Sequence, residues 1–152
     1  RFGFERMPDF DRAGWEKLRE AENRLMRPRP EGLIEGSDIA ADAVALAAEN
    51  LRRLPHGASV RVQRTDYQRR QDLGGRVIAC HPPYGIRLKQ PGGIEDFYRE
   101  LGDFLKQSCQ GSTAFLYFGD RTMLKHIGLK PSWKRPLKNG GLDGRLAKFE
   151  MY

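Results

Sequence analysis

The sequence predicts an α/β fold in which a largely parallel sheet is followed by an antiparallel hairpin. Between Leu33 and Phe118, short apolar segments of strand type alternate with segments of helical periodicity, which is typical of strand–helix–strand units with right-handed crossovers. Segments 133–138 and 142–151 are extended and flank Asn139-Gly140-Gly141, a pattern typical of a tight hairpin. With 152 residues the chain is long enough to bury one core.

The first thirty residues predict a peripheral helical segment. Asp11 is a favourable N-cap, apolar residues recur at helical spacing after it, and two prolines follow. We therefore expect a helix from about Arg12 to Met26. We assign residues 1–30 to this segment and residues 31–152 to the sheet and its helices, as parts of one catalytic domain.

Two strands with acidic residues at their ends are expected next. Leu33–Glu35 predicts a short strand that runs into a turn at Gly36-Ser37-Asp38, and apolar residues then recur at helical spacing up to Leu51. Val60–Arg64 alternates as a second strand and ends at Thr65-Asp66.

The second half of the chain predicts a buried strand, a helix and a central strand. Val77–Cys80 is apolar and is interrupted by the turn His81-Pro82-Pro83-Tyr84-Gly85. Ile94–Leu105 has the strongest helical periodicity, and the continuous apolar run Thr113–Phe118 indicates a central strand. We expect Gly119 and Asp120 to cap a further helix that ends at Gly128.

Composition and charge narrow the classes of function. The chain has 27 Lys and Arg residues against 20 Asp and Glu residues, a formal net charge of +7. This balance suits a polyanion such as RNA, because cations that neutralise phosphates release condensed counterions, although a solubilising surface explains it equally well. No apolar segment approaches the roughly 18 residues of a membrane-spanning helix and no signal peptide is present, so we expect a cytoplasmic protein without membrane contact. Two cysteines without Cys or His partners at ligand spacing predict reduced thiols and no metal.

The most specific motif is His81-Pro82-Pro83-Tyr84. In an open α/β sheet, a turn at the carboxyl end of a strand lies where ligands bind. The His81 side chain and the Pro82 carbonyl offer two acceptors for the N–H groups of a base amine, and the prolines fix the backbone. Tyr84 can stack on a base that is flipped out of its helix. A structural Pro-Pro turn with a buried tyrosine is the rival interpretation, and we favour base binding.

Carboxylates at the two earlier strand ends suggest a nucleotide site, less specifically. Asp38 can accept the hydroxyls of a ribose and Ile39 can pack on an adenine face, although a helix-capping role explains Asp38 at least as well. Asp66 can accept a hydrogen bond from an adenine amino group, and an ordinary turn residue is the simpler interpretation.

Basic residues near the proline-rich turn predict a phosphate-binding rim. Arg87 and Lys89 follow the turn directly and are our candidates for RNA binding, while a charged, solvated surface explains them nearly as well. The same two interpretations remain open for the basic cluster near the carboxyl terminus, which consists of Lys130, Lys134, Arg135 and Lys138.

Taken with these residues, the chain resembles the class I S-adenosylmethionine-dependent methyltransferases. More narrowly, it resembles the THUMP-associated RNA methylases that modify guanine N2 in large-subunit ribosomal RNA. The resemblance covers nearly the whole chain. It is carried by Phe2-Gly3-Phe4-Glu5, Gly36-Ser37-Asp38-Ile39, Pro82-Pro83-Tyr84-Gly85-Ile86-Arg87-Leu88, Phe97-Tyr98 with Leu101-Gly102, and the Asn139-Gly140 hairpin.

The resemblance implies a Rossmann-like, seven-stranded sheet in the order 3-2-1-4-5-7-6, with strand 7 antiparallel. It also implies that Asp38 holds the ribose of S-adenosylmethionine, that Asp66 holds its adenine, and that the turn from His81 to Tyr84 holds the target amine.

The sequence departs from the family pattern at two points. The family usually has Asn where this chain has His81, and an imidazole accepts a hydrogen bond only when it is neutral. The family's glycine-rich first motif is not found among these residues, so we expect it, its central strand and a THUMP domain to lie upstream.

The leading hypothesis is therefore a methyltransferase that modifies guanine N2 of 23S ribosomal RNA. Methylation of adenine N6 in DNA or RNA is an alternative, because the same turn serves both amines. A non-catalytic RNA-binding module, in which His81 replaces Asn because the chemistry has been lost, is an alternative of another class. The oligomeric state does not follow from the sequence.

Overall fold

A computed structural model describes residues 2–84 and 93–152, and in it the chain divides into two units. The first unit ends at Tyr67, and the second spans Gln68–Tyr152. In the first unit, helix α1 spans Arg12–Leu25 and begins as predicted, because Asp11 accepts a hydrogen bond from the backbone N–H of Gly14 at 3.0 Å.

A small parallel sheet forms the centre of the first unit. Strand β1 spans Glu35–Asp38 and pairs with strand β2, Arg61–Arg64, so that Asp38 lies opposite Arg64. Helix α2, Ala41–Arg52, connects the two strands. Parallel strands joined through a helix are the predicted arrangement.

The expected start of the first strand is wrong by two residues. Leu33 and Ile34 are exposed and precede β1, and Gly36-Ser37-Asp38 forms the strand instead of a turn. The reason is local, because the N–H of Leu33 bonds to the carbonyl of Pro30 at 3.3 Å and closes a turn there.

The second unit contains a four-stranded mixed sheet. Its strands are β3 (Val77–Cys80), β4 (Thr113–Phe118), β5 (Trp133–Asn139) and β6 (Leu142–Glu150), in the spatial order β3-β4-β6-β5. Strands β3 and β4 are parallel, and β6 is antiparallel to both its neighbours. This order is the 4-5-7-6 part of the implied sheet, and both the central strand and the hairpin are confirmed. The expectation that Val77–Cys80 is buried is wrong. Three of its four residues are exposed, because β3 is an edge strand among the described residues.

Helix α3, Gly93–Ser108, supplies the core of the second unit. Its Tyr98 is fully buried and stacks on Phe118 of β4, with ring centroids 5.4 Å apart. Gly102 allows a close approach, since a Cβ there would collide with the carbonyl oxygen of Ile127. The predicted helix is confirmed and extends a few residues further than expected.

The expected helix after β4 is instead a short 3-10 turn, Arg121–Lys125. Asp120 caps it as predicted, because its carboxylate accepts the backbone N–H of Thr122 at 2.8 Å. Among residues 2–84 and 93–152, the structure contains no helix whose length and apolar character would allow it to cross a membrane.

Candidate active site

The turn that follows β3 has a buried centre and an accessible start. His81 is exposed, the Pro82 side chain is fully buried, and Pro83 and Tyr84 are half-buried. The two prolines restrict the backbone on both sides of the buried ring, since each fixes its own φ and limits the preceding residue. His81 is therefore presented from a rigid base.

The rings of the turn contact one another and a residue of β4. The His81 ring stacks on Tyr84 with centroids 5.3 Å apart and an interplanar angle of 20°. Tyr117 packs edge-on against His81 at 4.9 Å and 74°. Such contacts between rings orient the imidazole, so the acceptor nitrogen that we expect to face a base amine is held by two tyrosines.

The backbone of the turn is fixed from α3. The Tyr98 hydroxyl donates to the carbonyl oxygen of Pro83 at 3.2 Å. Burial raises the pKa of Tyr98 far above its usual value, so this phenol remains a donor at any physiological pH. No residue in the described part of the chain donates to the carbonyl of Pro82, which is the backbone acceptor that the sequence indicates.

A glycine provides the space beneath Tyr84. A Cβ at Gly119 would lie 2.6 Å from Cδ1 of the Tyr84 ring, closer than side chains pack. Gly119 follows β4 directly, so the ring rests on backbone at the same sheet edge as the turn.

Cys80 is the nucleophilic residue nearest to the turn in sequence. Desolvation by the surrounding protein raises the pKa of its thiol to about 11. The thiol therefore stays protonated at neutral pH, and a thiolate nucleophile is not formed there. This leaves hydrogen bonding and stacking as the chemistry of the turn.

In the first unit, the predicted cofactor residues lie at the ends of paired strands. The N–H of Thr65 bonds to the carbonyl of Asp38 at 3.0 Å, and the Arg64 guanidinium donates to the carbonyl of Ile39 at 3.1 Å. Asp66, which is half-buried, follows Thr65. Asp38, Ile39 and Asp66 are thus brought to one edge of the small sheet.

Their chemistry fits a nucleoside. Oδ1 of Asp38 accepts the N–H of Ala40 at 2.8 Å, which fixes the carboxylate and leaves lone pairs of Oδ2 for hydroxyl groups. Ile39 is 65% exposed, so a large apolar side chain is available to an aromatic ring. The helix-capping interpretation of Asp38 is correct only in part. Asp38 binds the N–H of Ala40, and Ala40 itself is the N-cap residue of α2.

Sequence reasoning missed three residues that surround the turn, namely Tyr98, Tyr117 and Gly119. In the sequence, Tyr98 and Tyr117 occupy apolar positions of a helix and a strand. Only their hydroxyl groups, which need hydrogen-bond partners when buried, indicated a further role. The predicted RNA-binding residues Arg87 and Lys89 lie outside the described residues. Among the described residues, no three His, Cys, Asp or Glu side chains form a group that could hold a metal ion.

Comparison with solved structures defines the class of protein. All of this chain aligns with 40% of the structure of SMU.472, described provisionally as a methyltransferase and complexed with SAH, at a TM-score of 0.78 and 25% identity. A structure described as a possible methylase from Clostridium difficile 630 aligns with 97% of this chain, over 39% of its own length, at a TM-score of 0.78 and 23% identity. The fold is that of a Rossmann-like class I methyltransferase.

The chain belongs to the family described as UPF0020, RMKL-like methyltransferase domain, whose sequence model matches residues 2–148. The Synechocystis protein slr0064, named provisionally as an RNA methyltransferase, is 34% identical over 152 residues, covering 99% of this chain and 40% of that protein. Ribosomal RNA large subunit methyltransferase K/L of Photobacterium profundum is 28% identical over 150 residues, covering 94% of this chain and 21% of that enzyme. The chain thus spans less than half the length of these relatives.

Proposed function

We propose that this chain is the catalytic part of an S-adenosylmethionine-dependent RNA methyltransferase whose target is guanine N2 of 23S ribosomal RNA. The observation that carries the proposal is the turn after β3, where exposed His81 stacks on Tyr84 and the Pro82 ring is buried. The family and the names of the two relatives support an RNA substrate.

The residues of the first unit would hold the cofactor. The Asp38 carboxylate would accept the ribose hydroxyls, Asp66 the adenine amino group, and exposed Ile39 would pack on the adenine face. S-adenosylmethionine supplies an electrophilic methyl group when it is bound. The two carboxylates would bind and orient the cofactor, and they would not act as bases in the reaction.

The turn would prepare the amine. An exocyclic amine is a poor nucleophile because its lone pair is delocalised into the base. The His81 imidazole and the Pro82 carbonyl would accept its two N–H groups, which favours a pyramidal nitrogen and directs the lone pair away from the ring. Tyr84 would stack on the flipped base. We assign the phosphates beside the target to Arg87 and Lys89.

The pH dependence of methyl transfer tests the role of His81. Neutral imidazole accepts the amine hydrogen bond and imidazolium cannot, so activity should be lost in acid that protonates the imidazole. In the His81→Asn variant the acceptor does not titrate, so activity should persist at acid pH.

The assay measures incorporation of labelled methyl groups into ribosomal RNA and into duplex DNA by the gene product that contains these residues. Digestion to nucleosides then identifies the product. N2-methylguanosine supports the proposal, and N6-methyladenosine contradicts it. A flat wild-type pH profile would refute the role of His81, and failure of wild type and His81→Asn alike to transfer a methyl group would favour a non-catalytic RNA-binding module.

A further inference from the structure

Positive charge is concentrated at the carboxyl-terminal end of the chain. Residues 120–152 contain eight Lys and Arg residues and three Asp and Glu residues, and so carry five of the seven formal net positive charges. Most of these cations lie on or beside the hairpin formed by β5 and β6. The hairpin is therefore the most basic element of the second unit.

Six of these eight cations have no carboxylate partner among the described residues, and three of the six lie on β5. Arg121 and Lys148 have carboxylate partners, Asp143 at 3.3 Å and Glu150 at 2.7 Å. Lys134, Arg135 and Lys138 have no carboxylate partner among residues 2–84 and 93–152, and every residue of β5 after Trp133 is exposed. Their charge is thus available to an anion.

The same strand carries a stacking surface. The Arg135 guanidinium lies over the Trp133 indole, 5.2 Å from the ring centroid. The indole is half-buried and is supported by Phe115 of β4, with ring centroids 6.0 Å apart. Planar guanidinium and indole groups are the side chains on which unpaired bases stack. Lysines on an edge strand can serve only to prevent pairing with a strand of another chain, but the Trp133–Arg135 pair is not needed for that purpose.

The strand is connected to the turn at His81 on one face of the sheet. Tyr117, whose edge contacts the His81 ring, pairs across the sheet with Leu146, which pairs with Arg135. Strands lie about 4.8 Å apart, so three steps from β3 to β5 correspond to roughly 14 Å. The Tyr117 hydroxyl also donates to the carbonyl of Leu137 in β5 at 3.2 Å.

We propose that β5 binds the single-stranded RNA that flanks the target base. An unpaired base stacks on the Trp133–Arg135 pair, and Lys134 and Lys138 contact phosphates on either side. The inference rests on the proposed function in taking RNA as the partner. It adds the binding surface and the form of the RNA, because a stacking platform is accessible only to bases that are not paired with a second strand.

The main test measures the affinity of the 152-residue chain for a short, fluorescein-labelled, single-stranded RNA of mixed sequence by anisotropy at several salt concentrations. Trp133→Leu and Arg135→Gln should each weaken binding by about tenfold to a hundredfold, the range expected for loss of one stacked base. Lys134→Gln/Lys138→Gln should reduce the slope of log K against log salt by about 1.4, since each phosphate contact in a single strand contributes about 0.7.

The matched control removes two positive charges from α3. Arg99 and Lys106 are exposed residues in ion pairs with Asp96 and Asp103. Arg99→Gln/Lys106→Gln should bind the RNA as the wild type does. Equal losses in this control and in Lys134→Gln/Lys138→Gln would overturn the proposal, because only net charge would then matter. Tighter binding to a duplex of the same sequence would also overturn it.

Indole fluorescence provides a second readout. The chain has two tryptophans, so a Trp15→Phe variant leaves Trp133 as the single indole. The RNA should quench its emission, and the absence of quenching at saturation would contradict stacking.

The failures of the two proposals can be distinguished. RNA binding that depends on the hairpin, without methyl transfer by the gene product that contains these residues, refutes the proposed function alone. N2-methylation by hairpin variants of that gene product that bind RNA like the wild type refutes the hairpin surface alone.

Discussion

The turn after β3 takes its shape from residues distant in the sequence. Tyr98 in α3 donates to Pro83, Tyr117 in β4 packs edge-on against His81, and Gly119 leaves room beneath Tyr84. A rigid Pro-Pro segment provides the stiffness, and these contacts decide where the rings lie. The motif from His81 to Tyr84 therefore does not by itself determine the geometry of the site.

Gly119→Ala should displace the Tyr84 ring, because the new methyl group would lie 2.6 Å from its Cδ1 atom. Overpacking of this kind lowers the free energy of unfolding by about 1–3 kcal/mol. Urea denaturation measures that loss, and methyl transfer to RNA should fall with it. Gly3→Ala is the control, since no heavy atom lies within 4 Å of a Cβ there. Wild-type stability and activity in Gly119→Ala would show that the ring is free to move.

Strands and turns were predictable where the local sequence pattern is strong. Val77–Cys80 is apolar, Thr113–Phe118 is apolar after its first residue, and Gly140 in Asn139-Gly140 has a φ of 58°, which a two-residue hairpin turn requires. The start of β1 was wrong because hydrogen bonds within a turn outweigh the apolar character of Leu33 and Ile34. The helix expected after Asp120 is a five-residue 3-10 turn, and the Asp120 side chain caps this turn as it would cap an α-helix, so the capping residue did not distinguish the two.

Asp120→Ala should destabilise the second unit by about 1 kcal/mol at neutral pH, as loss of a capping residue does. Hydrogen bonds from the hydroxyl and the N–H of Thr122 lower the pKa of Asp120 below its usual value. The folded state therefore binds fewer protons than the unfolded state, and this stabilisation is lost as the pH falls through the lowered pKa.

Urea denaturation of wild type and Asp120→Ala at pH 7 and at acid pH measures that difference. It should shrink at acid pH, whereas Asp120→Asn, which caps without titrating, should keep its stability relative to Asp120→Ala at both values. A difference that does not change with pH would contradict this account of the cap.

At the scale of the whole chain, the candidate site was predictable only in part. Asp38, Asp66 and the turn from His81 to Tyr84 could be proposed from the sequence because strand ends and proline-rich turns are local patterns. Their partners were not found, because the contacts of Tyr98 and Tyr117 join residues 15 and 36 positions away and depend on how the elements pack. Hydrophobic periodicity identifies the buried face of a helix or strand, but it does not predict which atoms of another element contact that face.

These 152 residues by themselves should bind S-adenosylmethionine weakly or not at all. The family resemblance implies that a glycine-rich motif holds the methionine end, and no such motif is found among them. Isothermal titration calorimetry measures the affinity, with Asp38→Ala as the control that should abolish any residual heat. Tight binding by the chain would contradict the assignment of half the cofactor contacts to that motif.

Tyr117 reaches Leu137 by crossing β6 above Gly144, where a Cβ would collide with the tyrosine hydroxyl. A side chain at position 144 therefore requires a shorter residue at position 117. Relatives with a side chain at the position of Gly144 should carry a shorter residue at that of Tyr117, and they should orient the imidazole or asparagine of the turn by other means. An alignment of such sequences would show this covariation as an evolutionary record of the link between the hairpin and His81.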